Sequence, residues 1–294
     1  MGKTPVLLSF GHGYTAQALA RRLMAKGWRV IGTTRSETRA EAIRATGAEA
    51  VIWPPVKAGP LLDRATHILV SAGPEAGPGS GDDPVLMHCA GALGARSDLF
   101  DWIGYLSTTG VYGDRGGGWV DETSACTPAT ERGEWRLAAE REWLAYCHET
   151  GLPVHIFRLA GIYGPGRGPL AKVRAGTARR IVKPGQVFSR IHVEDIATVL
   201  EASIERPHPG AIYNVCDDEA APPEDVIAHA AELLGVPVPP AEPFDTAEMT
   251  PMARSFYAES KRVSNARIKS ELGVELAYPT YREGLAALLA EEMR

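Results

Sequence analysis

Gly11-His12-Gly13-Tyr14-Thr15-Ala16 carries the spacing G-x-G-x-x-A, directly after the apolar run Pro5–Phe10 and at the head of a helical pattern. In that setting the first glycine permits a tight turn, the second lets the backbone approach a pyrophosphate, and Ala16 lets a helix pack closely on a sheet. The helix N-terminus then offers N–H groups and the positive end of its dipole to phosphates. The spacing therefore predicts a dinucleotide site with Gly11, His12, Gly13, Tyr14 and Thr15 around it. Thr34-Arg35-Ser36 closes the second strand, where an NAD site carries an Asp or Glu for the ribose 2′-OH. No acid occurs there before Glu37. Arg35 can fork onto a 2′-phosphate, with Thr34 and Ser36 as hydroxyl donors, so the expected cofactor is NADP rather than NAD. Ser71-Ala72-Gly73 ends a further strand and is expected to pass the adenosine or ribose, because ligands sit at strand carboxyl ends in open α/β sheets. The Gly/Pro-rich stretch 73–81 reads either as a flap or as a plain solvent loop.

These residues need a scaffold, and the chain has the length for one. Its 294 residues can bury a sizeable core, in one large domain or two. Short apolar segments at 5–10, 28–33, 50–53, 67–72, 102–107 and 153–159 alternate with helical patterns following 13, over 36–46 and over 130–150. That alternation predicts an α/β fold with a parallel sheet and right-handed crossovers. After about residue 160, Pro and Gly become frequent. One returning strand is expected at 211–215, with helices near 223–235, 264–272 and 281–293. We expect a dinucleotide-binding domain over 1–160. The remainder, 161–294, reads mostly as a smaller cap over the strand ends, with segments at about 185–215 returning to the first domain.

Composition narrows the class. A hydrophobic fraction of 45% and a net charge of -5 are ordinary for a soluble globular protein, and leave no basic footprint for nucleic acid or anionic membrane. No apolar run is long enough for a membrane span, and the N-terminus has no signal-peptide pattern. Cys89, Cys126, Cys147 and Cys216 lack zinc-like or disulfide-framework spacing, so no metal is expected and a cytoplasmic location with reduced thiols follows.

Further segments carry a family resemblance. Leu106-Ser107-Thr108-Thr109-Gly110-Val111-Tyr112-Gly113-Asp114, Arg158-Leu159-Ala160-Gly161-Ile162-Tyr163-Gly164-Pro165-Gly166, Ile191-His192-Val193-Glu194-Asp195-Ile196-Ala197 and Tyr213-Asn214-Val215 are similar to motifs of the extended short-chain dehydrogenases/reductases. That group includes nucleotide-sugar epimerases and dehydratases, and matches to it run in order from residue 6 to 285. The resemblance implies a Rossmann-type doubly wound parallel sheet with a C-terminal substrate or cap region. It also implies a monomer or a homodimer paired through helices around 85–100 and 130–150.

The departures bear on chemistry. Arg132-Gly133-Glu134-Trp135-Arg136-Leu137-Ala138-Ala139-Glu140 resembles the family segment Tyr-Gly-x-Ser-Lys-x-Ala-Ala-Glu, with Arg132 at the Tyr position and Arg136 at the Lys position. The family Tyr moves the substrate proton; arginine has no deprotonated form at neutral pH, so Arg132 cannot be a general acid or base. Arg136 can still hold ribose hydroxyls as a donor. The Asn of the family pattern R-x-x-N-x-Y-G-P is Gly161 here, which speaks against a nucleotide-sugar substrate. The chain thus resembles the atypical members of the group. Thr108 corresponds to the family hydroxyl that polarises a substrate carbonyl, or is a structural strand-end hydroxyl; Tyr112 and Tyr163 are phenols that could replace the lost acid, although the resemblance implies that both positions are mainly framework. Arg132, Arg136, Arg158, Arg167 and Arg190 would suit an anionic small molecule if they converge; pairing with Glu131, Glu134 and Glu140 is the alternative. Asp195 is expected to cap the helix after it, and Trp102, Trp119, Trp135 and Trp143 to line core or cleft.

Three functions follow. The first is an NADP(H)-dependent oxidoreductase of the atypical type acting on a small, anionic molecule. The second is a catalytically degenerate NADP-binding sensor or regulator. The third is a nucleotide-sugar epimerase- or dehydratase-like enzyme.

Overall fold

A computed structural model describes residues 4–54, 57–74 and 81–293. Seven strands form its central sheet: β1 (Val6–Phe10), β2 (Arg29–Thr34), β3 (Glu49–Ile52), β4 (His67–Val70), β5 (Trp102–Thr108), β6 (Val154–Leu159) and β7 (Ile212–Val215). Their spatial order is β7-β6-β5-β4-β1-β2-β3. Leu8 pairs in parallel with Ile31 on one side and Ile68 on the other. The strand order reverses at β1, and that switch point is where a doubly wound sheet receives its ligand. Strands β1, β4 and β6 are buried along their whole length. Unbroken apolar runs such as Val6-Leu7-Leu8 are what a sheet covered on both faces requires.

The helices that position the candidate site are α1 (Tyr14–Ala25), α2 (Glu37–Ala45), α3 (Pro84–Gly94) and α4 (Glu131–Thr150). α1 turns Thr15, Ala16, Ala18, Leu19, Ala20 and Leu23 inward. Burying a Leu of this kind contributes about 1.5–3 kcal/mol. Ser36 caps α2, accepting the Arg39 N–H. Asp83 caps α3, accepting the Val85 and Leu86 N–H groups at 2.9 and 3.0 Å.

The chain folds as two compact units, each assembled from three separate stretches. The first takes residues up to 108, 134–158 and 196–213; the second takes 109–133, 159–195 and 214 onward. The stretch 109–133, expected in the dinucleotide-binding domain, packs with the second unit. Tyr112 there donates to Asn214 at 2.8 Å, and Asp114 accepts the Ser260 N–H at 2.8 Å. The stretch returning to the first unit is 196–213, inside the expected segment of about 185–215.

Within the second unit three short parallel strand pairs join Trp119–Val120 to Arg262–Val263, Gly161–Tyr163 to Arg190–His192, and Arg180–Val182 to Ala241–Pro243. Strands this short carry too little period-2 pattern to be read from sequence. Tyr163, Leu170, Val226, Tyr281, Leu285 and Leu288 form this unit's apolar core. Asp195 is not the cap it was expected to be. It lies inside the helix Val193–Glu205, and its carboxylate accepts the Ala277 and Tyr278 N–H groups at 2.8 and 3.0 Å, so it fastens a loop distant in sequence. Trp102 and Trp143 are fully buried as expected, whereas Trp119 is 65% exposed and belongs to no core.

Candidate dinucleotide site

The turn between β1 and α1 is built from two glycines with different reasons to be glycine. Gly11 has φ +77°, and a Cβ there would fall 2.7 Å from the Ala72 backbone nitrogen. Any side chain is excluded on both counts. Gly13 is extended at φ -96°, and a Cβ there would meet only the Gly11 carbonyl oxygen at 3.8 Å. Nothing in the protein itself requires Gly13 to lack a side chain. Gly13 is also the N-cap of α1. It offers no side-chain acceptor to the helix, and no acidic residue occupies the first turn. The exposed backbone at Gly13 and the uncompensated N-terminal dipole fit a pyrophosphate.

His12, between them, is 5% exposed, with its N–H on the Thr33 carbonyl at 2.9 Å. Its ring packs so closely on β2 that a Cβ at Gly32 would lie 2.6 Å from the imidazole Cγ. Burial lowers its pKa to about 4, so the ring is neutral at physiological pH. Tyr14 is half-buried and Thr15 buried at the head of α1. From behind, Thr33 Oγ1 accepts the Gly11 N–H at 3.0 Å. The Ser71 hydroxyl donates to the Gly11 carbonyl and, at 3.2 Å, to that of Phe10. The Ser71 and Ala72 N–H groups bond the Phe10 carbonyl at 2.9 and 3.0 Å. Ser71 and Ala72 therefore support the turn, a role that spacing alone did not reveal.

At the end of β2, Thr34 is buried while Arg35 and Ser36 are exposed. Thr34 Oγ1 accepts the Ser36 N–H at 3.5 Å. Ser36 Oγ accepts from Arg39, which leaves its own proton for a ligand. The first acid of the segment, Glu37, pairs with Arg44 at 2.6 Å. That pair engages one of the two Glu37 oxygens. The stretch 73–81, read as a flap or a solvent loop, includes residues 75–80, which lie outside the described residues.

Arg136 is the side chain that closes the carboxyl ends of β4 and β5. Its Nη1 donates to the Leu106 carbonyl at 2.8 Å and to the Tyr105 hydroxyl at 3.4 Å, and its Cζ stands 5.7 Å from the Tyr105 ring centroid. A Cβ at Gly73 would lie 2.2–2.5 Å from three guanidinium atoms. Behind it Glu140 is wholly enclosed, taking Arg158 at 2.7 Å and the Ser107 hydroxyl. Thr108, next in the chain, is half-buried at the end of β5. The arginines do not act as one cluster, since Arg158 is spent on Glu140. Glu140, named from sequence as an alternative partner for the arginines, takes Arg158, whereas Tyr105 and Asp83 were not singled out from sequence.

The remaining candidates lie in the second unit. Tyr112 is fully buried with its phenol donating to Asn214, and Asn214 in turn gives its N–H to Glu122 at 2.8 Å. Tyr163 is 3% exposed, donates to the Thr280 carbonyl at 3.5 Å, and abuts Gly284, where a Cβ would fall 2.1 Å from its hydroxyl. Burial raises its pKa well above that of a free phenol. Both phenols are framework here rather than accessible acids. His192 accepts the Glu194 N–H on Nδ1 at 3.2 Å, and burial lowers its pKa to about 4. Arg132 and Gly161 are exposed. Gly133 is packed against Pro128, where a Cβ would fall 2.8 Å from the proline Cβ, and its N–H is held by Thr130 Oγ1 at 3.2 Å. Among the described residues no group of three or more His, Cys, Asp or Glu could hold a metal, and no helix is long and apolar enough to cross a membrane.

Comparison with known proteins fits this geometry. The profile of the NAD dependent epimerase/dehydratase family matches residues 7–216. Protein YeeZ of Escherichia coli (strain K12) is 30% identical over 283 residues, covering 92% of this chain and 94% of that one. Among solved structures, a functionally unknown conserved protein from Silicibacter pomeroyi DSS is 60% identical, with a TM-score of 0.92 over 98% of this chain and 99% of that one. A dTDP-glucose 4,6-dehydratase from Bacillus anthracis str. Ames, solved in complex with NAD, shares the fold with a TM-score of 0.79 at 17% identity, over 99% of this chain and 97% of that one.

Proposed function

This chain belongs to the NAD dependent epimerase/dehydratase family, and from that premise we propose that it binds NADP(H) at the Gly11–Gly13 turn and serves as an atypical oxidoreductase for a small carbonyl compound. The observation that carries the reading is the contrast between the two glycines. Gly11 is demanded by the turn's own geometry, whereas Gly13, exposed at a helix N-terminus with its N–H on the Gly11 carbonyl at 2.7 Å, has no neighbour that would exclude a side chain. Arg35, exposed at the end of β2, is the group for a 2′-phosphate, with the Ser36 hydroxyl beside it in the chain and Glu37 held by Arg44.

The bound nicotinamide would supply or accept the hydride. Thr108, with its hydroxyl at the strand end, polarises the carbonyl. Tyr112 and Tyr163 are both engaged in buried hydrogen bonds, so water is the proton source that remains. The free cysteines agree with a cytoplasmic protein, as monomer or homodimer.

One observation favours a second reading, an NADP-binding sensor without turnover. Arg136 stands where the family resemblance places the catalytic Lys, and it is already engaged with the Leu106 carbonyl. A nucleotide-sugar reaction like that of the dehydratase relative is the third reading, and it lacks the Asn that Gly161 replaces.

Titration with both dinucleotides tests the cofactor; tighter binding of NAD than of NADP rejects the role of Arg35. NADPH oxidation with a panel of carbonyl acids, compared between the wild type and Thr108→Ala, tests the chemistry. Equal rates reject Thr108 as the polarising group. Binding without turnover across the panel selects the sensor.

A further inference from the structure

A doubly wound sheet divides its ligand at the switch point, one mononucleotide half lying over the strands on each side. With the adenosine half over β1 and β2, beside Arg35, the nicotinamide half lies over β4 and β5. The charge standing at that end is Arg136. Its contacts are all neutral: the Leu106 carbonyl, the Tyr105 hydroxyl and ring face, and the backbone at Gly73. Among the described residues no carboxylate forms an ion pair with it. Glu140, one helical turn along α4, is consumed by Arg158 and Ser107. Asp83 is near enough to feel the guanidinium, but the oxygen it bonds through is turned to the α3 N-terminus, where it accepts the Val85 and Leu86 N–H groups. Among the described residues Arg136 therefore stands at the nicotinamide end with a positive charge that enters no ion pair.

The nicotinamide ring is a cation when oxidised and neutral when reduced, while the rest of the dinucleotide is the same in both forms. We propose that Arg136 makes this site a reader of the cofactor's redox state, holding the reduced dinucleotide and disfavouring the oxidised one. The inference rests on the reading that the Gly11–Gly13 turn holds a nicotinamide dinucleotide. Two unit charges a few ångströms apart at a partly buried surface repel strongly enough to separate the two affinities by on the order of tenfold.

Calorimetric titration of the full-length protein with NADPH, NADP+ and 2′,5′-ADP tests it, in the wild type, Arg136→Lys and Arg136→Gln. We expect NADPH to bind the wild type about tenfold more tightly than NADP+. Arg136→Lys should keep the ratio, and Arg136→Gln should bring it close to one, chiefly by tightening NADP+, with 2′,5′-ADP binding unchanged. A wild-type ratio near one, with 2′,5′-ADP still bound, overturns the redox inference alone; so does a ratio that Arg136→Gln leaves intact. Failure of all three nucleotides to bind the wild type overturns the dinucleotide reading beneath it. The wild-type and Lys titrations decide the matter even if the Gln variant does not fold.

Discussion

Arg158 and Glu140 form a 2.7 Å ion pair in which the two side chains are 5% and 1% exposed. Arg158 Nε reaches both carboxylate oxygens, at 3.2 and 3.1 Å, so the pair is locked by several bonds. Removing one partner strands a buried charge. Glu140→Gln should destabilise the protein by about 3–5 kcal/mol in urea unfolding. Pairing Glu140→Leu with Arg158→Met should recover most of that loss, because neither charge then remains. Losses that simply add in the double variant would show that the two residues do not act as a pair.

Gly11 and Gly13 should separate folding from binding. Gly11→Ala forces a side chain to positive φ, at about 1–2 kcal/mol, and also drives it into Ala72. Its melting temperature should fall. Gly13→Ala should melt like the wild type and lose dinucleotide binding in calorimetry. A Gly13→Ala protein that binds as well as the wild type would remove the pyrophosphate from this turn.

Arg35→Ser should weaken NADP without weakening NAD. Losing one charge-assisted contact costs about 1.5–3 kcal/mol, at least tenfold in affinity. Parallel losses for both cofactors would mean that Arg35 does not read the 2′ position.

His155 predicts an acid-sensitive fold. It is fully buried, accepts the His208 N–H on Nε2 at 2.8 Å, and meets the Ile103 carbonyl with Nδ1 at 3.3 Å. The acceptor on Nε2 requires the neutral ring with its proton on Nδ1. Burial lowers its pKa to about 4 in the folded protein, against roughly 6.5 when unfolded. Above pH 6.5 both states are neutral and the stability is fully present. As pH falls, the unfolded chain takes up the proton first, so stability is lost progressively down to about pH 4. This one residue accounts for roughly 3 kcal/mol of that loss. Urea midpoints measured across this range should fall less steeply for His155→Gln, and identical slopes would assign the acid sensitivity elsewhere.

The dinucleotide turn was readable in sequence because its logic is local: a strand, two glycines and a helix start occupy one short stretch. The position of Arg35 and Ser36 just past a strand end was readable for the same reason. What sequence did not disclose is where distant partners take a side chain's bonding capacity. Tyr112 is a replacement acid until Asn214, about a hundred residues later, accepts its proton. Tyr163 meets Gly284 and Thr280, and Asp195 meets the Ala277–Tyr278 backbone, in each case across a gap that no periodicity spans. That the Ser71 hydroxyl braces the Gly11 carbonyl was likewise not readable, because it depends on which way one hydroxyl points. Trp119 shows the reverse case, a large aromatic placed outside any core.

The alternation of the chain between its two units has a consequence for ancestry and engineering. Neither unit corresponds to a contiguous piece of gene, and a single truncation point cannot deliver either one whole. Exchanging either unit for that of a relative would need three matched stretches replaced together, with five internal junctions in the polypeptide to respect.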